Sequence, residues 1–275
     1  MSPSASSESE NGSYAKSKLN SVNRYRGRGQ YEYQQVYPIF DETPVVHVAF
    51  QTSPDQDNFG FPVILPMLGC TGIFGQEDVT EDEDDGRRYI YLHGYVSARI
   101  MRLSKAGTND EPSGIPVCVS ATLMDGIVLA LTPNHHSCNY RSAVAFGHAQ
   151  VVEDEAERLY AMELITNNLV PERWQHTRYP NKTELKSTGI LRVEIHSASA
   201  KVRTGSTGEA KEDIADEEMR RNVWAGVVPT RTVYGTPMPA PTNLFPGVPG
   251  YLEDWIRERN ETSLQYTLDA GAASK

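Results

Sequence analysis

The chain has 275 residues, of which 39% are hydrophobic and 23% are charged, and its formal net charge is −10. These values are typical of one or two globular domains, and the acidic balance argues against general nucleic-acid binding. No apolar run reaches ~18 residues, so we expect no membrane span. Cys70, Cys118 and Cys138 form no Cys-x-x-Cys pair, which gives no support to zinc or thioredoxin-like chemistry. Sparse cysteines and the lack of a visible secretory signal predict a cytoplasmic protein.

The hydrophobic pattern predicts a mainly β protein with flanking helices, an α+β class. Residues 1–23 and 263–275 are polar and predict disordered tails around a single domain at residues 24–262. The acidic stretch 76–86 does not fit a calcium loop and is predicted to be a solvated hairpin tip. In chain order, we expect helix 33–42, strands 45–51, 61–67 and 88–93, helix 97–103, strands 115–123, 125–133 and 142–152, helix 154–169, helical turn 183–187, strand 190–196, a flexible connection at 205–218, an apolar piece at 224–229 and helix 251–260.

Residues 134–142 form a dense polar segment between apolar strands. The two strands upstream of it are predicted to meet in a turn at Met124-Asp125-Gly126. A polar segment of this kind is costly to bury without partners, so it fits a segment that faces a polar ligand. The alternative is an ordinary solvated turn, in which His135 and His136 have structural roles.

A second polar motif follows the apolar strand that runs into His93 and Gly94. Ser97 and Arg99 follow it, and a hydroxyl and a guanidinium can bind a phosphate by hydrogen bonds. An arginine at the start of a helix is also common on any protein surface. A phosphate site is therefore one of two interpretations of this motif.

Short motifs along residues 24–240 resemble, in order and spacing, a known family. It is the pyridoxamine 5′-phosphate oxidase-related FMN-binding split-barrel family, in its 5-nitroimidazole-resistance-like flavin-nucleotide-binding branch. The matching motifs are RGRG at 26–29, HVAF at 47–50, PVILPM at 62–67, YLHG at 91–94, DGIVLA at 125–130, HHS at 135–137, NYRS at 139–142, VPERW at 170–174, SASAKVRTG at 197–205 and WAGVVP at 224–229. The resemblance implies a split β-barrel, a homodimer and FMN bound at the dimer interface.

The residue types in these motifs suit a flavin, which needs phosphate donors, apolar walls and hydrogen-bond partners along its polar edge. Ser97 and Arg99 are the predicted phosphate ligands, although the family more often has a lysine at the position of Arg99. Lys201, Arg203 and Arg102 are predicted to contribute further contacts to the phosphate. The predicted apolar wall of the site consists of Ile64, Leu65, Pro66 and Met67. The predicted ligands of the polar edge or the ribityl chain are His93, His136, Asn139 and Tyr140. His135 is a further predicted cofactor ligand, and Trp224 is the predicted cap.

These predictions favour an FMN-dependent oxidoreductase acting on a small organic substrate, with His136 and His93 as catalytic candidates. No Gly-x-Gly-x-x-Gly motif is present, so NAD(P)H would have to dock transiently as the electron donor. Two alternatives stay open: a non-catalytic flavin- or haem-binding protein, and a pyridoxamine phosphate oxidase. No metal ligand, nucleic acid or membrane is expected.

Overall fold

The computed structural model describes residues 12–52, 60–75, 86–105 and 114–273, so the predicted acidic loop at 76–86 lies, except for its last residue, outside the described residues. The chain divides into two compact units. Unit 1 comprises Met1–Thr122 and Ser142–Lys201, and unit 2 comprises Leu123–Arg141 and Val202–Lys275. None of the helices in the described ranges combines the length and apolar character that crossing a bilayer requires.

The predicted strands and helices occur in the predicted order. The structure adds a short strand at Gly29–Gln30 and helices at Lys211–Ala215 and Glu217–Asn222, so the prediction of a flexible connection at 205–218 is wrong where these helices lie. The strands are β1 (Gly29–Gln30), β2 (Val45–Phe50), β3 (Val63–Gly72), β4 (Tyr89–Tyr95), β5 (Ile115–Leu129), β6 (Ser137–Val151), β7 (Thr188–Arg203) and β8 (Gly226–Pro229). The helices are α1 (Tyr33–Glu42), α2 (Arg99–Lys105), α3 (Glu155–Leu169), α4 (Lys182–Ser187), α5 (Lys211–Ala215), α6 (Glu217–Asn222) and α7 (Gly250–Ala272).

Six strands close into a barrel in the order β7-β4-β3-β2-β5-β6, and β6 pairs again with β7. Strand β1 is added to the edge of β7, where Gly29 pairs with Lys201. Alternate side chains of β2, such as Val46 and Val48, are fully buried inside the barrel, as period-2 patterning requires. Helix α1 contributes Phe40 to the same core. The predicted mainly β class with flanking helices is confirmed.

Helix α3 covers one part of the outer barrel surface, next to β3 and β4. Asp154 caps its first turn by accepting a hydrogen bond from the backbone N–H of Glu157 at 2.8 Å. The buried Glu157 carboxylate accepts hydrogen bonds from Tyr91 Oη at 2.8 Å and from Arg192 Nη1 at 3.1 Å. Because its charge is neutralised and hydrogen-bonded, this carboxylate fixes α3 on the strands instead of weakening the core.

In unit 2, β8 pairs with the end of β5, from Gly126 with Pro229 to Leu129 with Gly226. Helix α7 packs against β8. It extends to Ala272, although the sequence predicts a helix at 251–260 and a disordered tail from residue 263. The tail prediction fails because Thr267 and Ala270 are buried in this helix.

The described part of the predicted N-terminal tail, residues 12–23, is also ordered. Tyr14 is buried, its ring centroid lies 4.7 Å from that of Tyr33, and its hydroxyl lies 2.9 Å from the Tyr37 hydroxyl. Asn20 Nδ2 donates to the Ala198 carbonyl at 3.0 Å. Specific contacts such as these anchor a polar segment, and composition averaged over the segment does not show them.

The predicted turn at Met124-Asp125-Gly126 is wrong, because these residues lie inside the continuous strand β5. A Cβ atom at Gly126 would lie 2.9 Å from Val227 Cγ1, so glycine allows β8 to approach closely. The polar segment is also largely regular. Pro133–His135 form a single 3-10 turn, and β6 begins at Ser137, five residues earlier than predicted.

Candidate functional site

The outer surface of the unit 1 barrel has a part that α3 leaves uncovered. Cys70 and Tyr91 pack with α3, whereas exposed side chains occupy the same face of the strands further along. Backbone register aligns His47 with Pro66 and, in the next row, Leu68 with His93. We call this surface the open face, and it consists of Val45, His47, Ile64, Pro66, His93 and Tyr95.

The four predicted wall residues divide between the two sides of β3. Ile64, which is 60% exposed, and Pro66 lie on the open face. Met67 is buried, and the half-buried Leu65 packs against the same barrel core. Strand alternation therefore makes Ile64 and Pro66 the accessible wall, and it leaves backbone groups as the contribution of Leu65 and Met67.

Both histidines of the open face have exposed side chains. His47 lies on a valine-rich strand that predicts a core histidine, yet its side chain is exposed. His93 is also exposed, although enough protein surrounds its ring that desolvation lowers its pKa from the ordinary value of 6.5. His93 is therefore mainly neutral near pH 7, with one ring nitrogen as a donor and the other as an acceptor.

The predicted phosphate ligands Ser97 and Arg99 follow β4 directly, and both are exposed. The turn that carries them is held by the hydrogen bond from the Ala98 N–H to the Tyr95 carbonyl at 2.8 Å. Arg102 Nη1 also donates to the Ser97 carbonyl at 2.7 Å. Helix α2 begins at Arg99, two residues later than predicted, so Ser97 lies in the turn before the helix.

Lys201, a further predicted ligand in unit 1, lies near the end of β7. Its carbonyl accepts a hydrogen bond from Ser142 Oγ at 3.2 Å, and its side chain is half-buried. Backbone pairing with Gly29 brings the N-terminal arm beside it.

In unit 2, His136 is exposed, and its Nδ1 accepts a hydrogen bond from the Ala130 N–H at 2.9 Å. In the neutral ring this bond places the proton on Nε2, so the imidazole presents an N–H donor. Trp224 is 65% exposed, and its ring covers Gly226. Tyr140 is half-buried.

Asn139 and Arg203 are predicted ligands that the structure places inside unit 2. Both are buried, and Arg203 Nη1 donates to Asn139 Oδ1. Asn139 Nδ2 donates to the Gly205 carbonyl at 3.0 Å, and Arg203 Nη2 donates to the Ser206 carbonyl at 3.1 Å. These contacts give the two side chains a structural role at the ends of β6 and β7.

Unit 2 also contains an ion pair, a cation–π contact and a cluster of possible metal ligands that the sequence does not predict, although the predicted cofactor ligand His135 belongs to the cluster. Asp125 and Arg141 form a buried ion pair, with Nη2–Oδ1 at 3.0 Å and Nε–Oδ2 at 3.2 Å. The Arg141 guanidinium lies 3.8 Å from the centre of the Tyr266 ring. His135, Glu209 and Asp213 form a cluster whose ligand atoms lie within 4.8 Å of one another. The NYRS motif contains Arg141 but does not indicate its partner.

Each unit also has a pocket that the sequence does not predict. The pocket in unit 1 has a volume of about 400 Å³ and a mainly apolar lining that includes Phe50, His148 and His196. The pocket in unit 2 has a volume of about 390 Å³ and is lined by Leu131, Thr207, Glu209, Ile214, Arg220, Val223 and Ala225.

Comparison with known proteins gives one family match. The family model described as pyridoxamine 5′-phosphate oxidase matches residues 32–202. The flavocytochrome Anf3 from Azotobacter vinelandii is 26% identical with a TM-score of 0.70, covering 87% of this chain and 97% of its own. The FAD and haem binding protein from Mycobacterium smegmatis is 28% identical with a TM-score of 0.65, covering 83% of this chain and 97% of its own. No curated protein matches the sequence.

Proposed function

We propose that this chain, which belongs to the pyridoxamine 5′-phosphate oxidase family, is an FMN-dependent oxidoreductase acting on a small organic substrate. The predicted family and the split β-barrel fold are confirmed. The observation that carries the proposal is the open face of unit 1. It combines exposed apolar side chains with His93, and the chain continues directly into the exposed Ser97 and Arg99.

The residue types on this surface fit a flavin. Bound flavin supplies hydride and single-electron transfer. The Arg99 guanidinium can bind a phosphate with two parallel N–H groups, and the Ser97 hydroxyl can add a further bond. Ile64 and Pro66 provide an apolar surface for a flat ring. Lys201 remains a predicted additional ligand of the phosphate.

The two predicted catalytic histidines would have different tasks. His93, whose pKa is lowered by desolvation, can hydrogen-bond while neutral and accept a proton at neutral pH. The bond from Ala130 leaves His136 with an N–H donor at Nε2. This donor is suited to polarising a substrate by a hydrogen bond, and the bond from Ala130 also suits a purely structural role. NAD(P)H stays our proposed transient electron donor.

We propose that the working form is a homodimer. Phe61, Ile64 and Tyr95 of unit 1 are each 60% or more exposed. Monomers rarely leave large apolar surfaces in contact with water, so a second copy of the chain is the expected cover. Analytical ultracentrifugation at micromolar concentration tests this, and a stable monomer that retains its flavin would contradict it.

A second candidate function is a protein that binds both flavin and haem. It is favoured by the two similar solved structures, whose names specify a flavocytochrome and an FAD and haem binding protein. They cover 87% and 83% of this chain, which is more than the family match over residues 32–202. Their similarity therefore extends into segments outside the family model.

The chromophore of the purified full-length protein separates the two candidates. Heat release followed by mass identification distinguishes FMN from FAD, and an absorption spectrum before release shows whether a Soret band accompanies the flavin bands. Released FMN without a Soret band supports the first proposal. FAD with a Soret band supports the second, and a protein that binds no flavin contradicts both.

The phosphate assignment is tested by Arg99→Ala. Loss of a charge-assisted hydrogen bond costs ~1.5–3 kcal/mol, so flavin affinity should fall about 10-fold or more. Lys105→Ala, at the other end of α2, is the matched control and should retain wild-type affinity. Equal flavin affinity in the wild type and Arg99→Ala would show that this arginine does not bind the phosphate.

A further inference from the structure

We propose that unit 2 contains a binding site for a divalent first-row transition-metal ion, formed by His135, Glu209 and Asp213. His135 ends the 3-10 turn Pro133–His135, Glu209 precedes α5, and Asp213 lies within α5. One imidazole nitrogen and two carboxylate oxygens thus come within 4.8 Å of one another. The three residues all belong to unit 2, and the proposed flavin site uses none of them, so this inference does not depend on the flavin proposal.

Glu209 provides the observation that points to a bound ion. Its side chain is 9% exposed, and its Oε1 accepts a hydrogen bond from the Leu131 N–H at 3.1 Å. Its Oε2 is buried and has no hydrogen-bond partner within the described residues. A buried carboxylate oxygen without a partner is costly, so such an atom needs an explanation such as an ion.

His135 does not supply the missing partner by itself. Its Nδ1 lies 3.8 Å from Glu209 Oε2, which is too long for a hydrogen bond. Thr132 Oγ1 lies 3.4 Å from the same nitrogen, a long contact that leaves the imidazole available to a metal. The two ligand atoms therefore border a gap, and Asp213 lies on its third side.

The dimensions of this gap are close to those of a metal site. Metal–nitrogen and metal–oxygen bonds of ~2.0–2.2 Å place neighbouring ligand atoms about 3.0–3.5 Å apart. The observed separations, 3.8 Å and up to 4.8 Å, require the ligands to move inward by about 1 Å or less on average. His135 and Asp213 are partly exposed and can make this adjustment, whereas Glu209 is held by Leu131.

The ligand chemistry selects the class of ion. Imidazole suits zinc, iron, copper and nickel, and carboxylates suit manganese and magnesium, so one histidine with two carboxylates suits Zn²⁺ or Mn²⁺. Glu209 also lines the pocket of about 390 Å³ in unit 2, together with Thr207 and Arg220. This pocket gives an ion an entry path and leaves room for water or a small anion to complete its coordination.

The test uses the full-length protein with its chromophore, first treated with EDTA and then dialysed. Binding of Mn²⁺ is followed by the loss of the free-ion electron paramagnetic resonance signal, and binding of Zn²⁺ by calorimetry. We expect one saturable site per chain. Glu209→Gln, Asp213→Asn and His135→Gln should each weaken binding by ~10-fold or more, since even outer-shell partners of a metal are worth that factor.

Glu212→Gln is the matched control, because Glu212 is an exposed neighbour of Asp213 in α5 and lies outside the cluster. It should bind the ion like the wild type. Glu209→Gln retains an oxygen acceptor for the Leu131 N–H, and circular dichroism verifies that each variant is folded. Absence of saturable binding by the wild type would overturn the proposal and leave a simple histidine–carboxylate ion pair. Binding that Glu209→Gln leaves unchanged would overturn it as well.

Discussion

The buried ion pair between Asp125 and Arg141 leads to a quantitative prediction about unit 2. Its two partners lie on neighbouring segments, β5 and β6, and Arg141 also contacts the Tyr266 ring of α7. Substitution of Arg141 by methionine removes the charge and retains an apolar stem against that ring. The Asp125 carboxylate is then left without its cation at a position where it is 4% exposed.

The expected cost follows from this geometry. Removing one partner of a buried ion pair costs ~3–5 kcal/mol, and the cation–π contact adds about 1 kcal/mol. We expect ~4 kcal/mol for Arg141→Met, at the lower end of the combined range, because Arg141 is 15% exposed and is partly screened by water. Asp125→Asn should cost less, because the amide is neutral and can still accept a bond from Arg141. A coupling energy of ~2 kcal/mol is expected for the pair.

The assay is urea unfolding of the wild type, both single variants and the double variant. It is followed by tryptophan fluorescence, because the Trp255 ring lies 4.6 Å from the Tyr234 ring within unit 2. Arg221→Met is the matched control, since the Arg221–Glu217 pair has side chains 77% and 70% exposed and should contribute less than about 0.5 kcal/mol. A coupling energy between Asp125 and Arg141 no larger than that of an exposed pair would refute the reasoning.

Three further predictions concern catalysis, pH and thiol chemistry. If His136 is catalytic, the His136→Gln variant should retain its flavin, and its turnover per bound flavin should fall ~10²-fold. An unchanged rate per bound flavin would show that His136 is not catalytic. Burial raises the pKa of Asp41 above its usual 3.8 despite two hydrogen bonds from Thr71. The folded state therefore binds the extra proton, and the stability of the wild type relative to Asp41→Asn should fall as the pH rises from about 4 to 7. Urea midpoints at the two pH values check the sign, and a relative gain at pH 7 would contradict it. Burial also raises the pKa of Cys70 to about 12, so iodoacetamide at pH 8 should modify the half-buried Cys138 well before Cys70, as peptide mass spectrometry would show.

The sequence predicts most of the barrel because apolar and polar side chains alternate along its strands. Helix α1 has the predicted bounds, and α3 begins at Glu155, one residue after the predicted start at Asp154. Local patterns are less informative where a tertiary contact overrides the usual structural preference of a residue. Asp-Gly at 125–126 favours a turn, yet in β5 the aspartate has a buried arginine as its partner and the glycine makes room for β8.

The candidate site shows the same limit at the level of side chains. Strand alternation is enough to separate the exposed Ile64 and Pro66 from the core-facing Met67, once the inner face of β3 is known. No local pattern, however, distinguishes Arg99, which is exposed, from Arg203, which is buried on Asn139. Both are basic residues in motifs of the same family resemblance, and their difference arises from residues far away in the sequence. Likewise, His135 becomes a candidate metal ligand only because folding brings Glu209 and Asp213 beside it. Residue type therefore limits what a side chain can do, whereas the partners that decide its role are set by the folded chain.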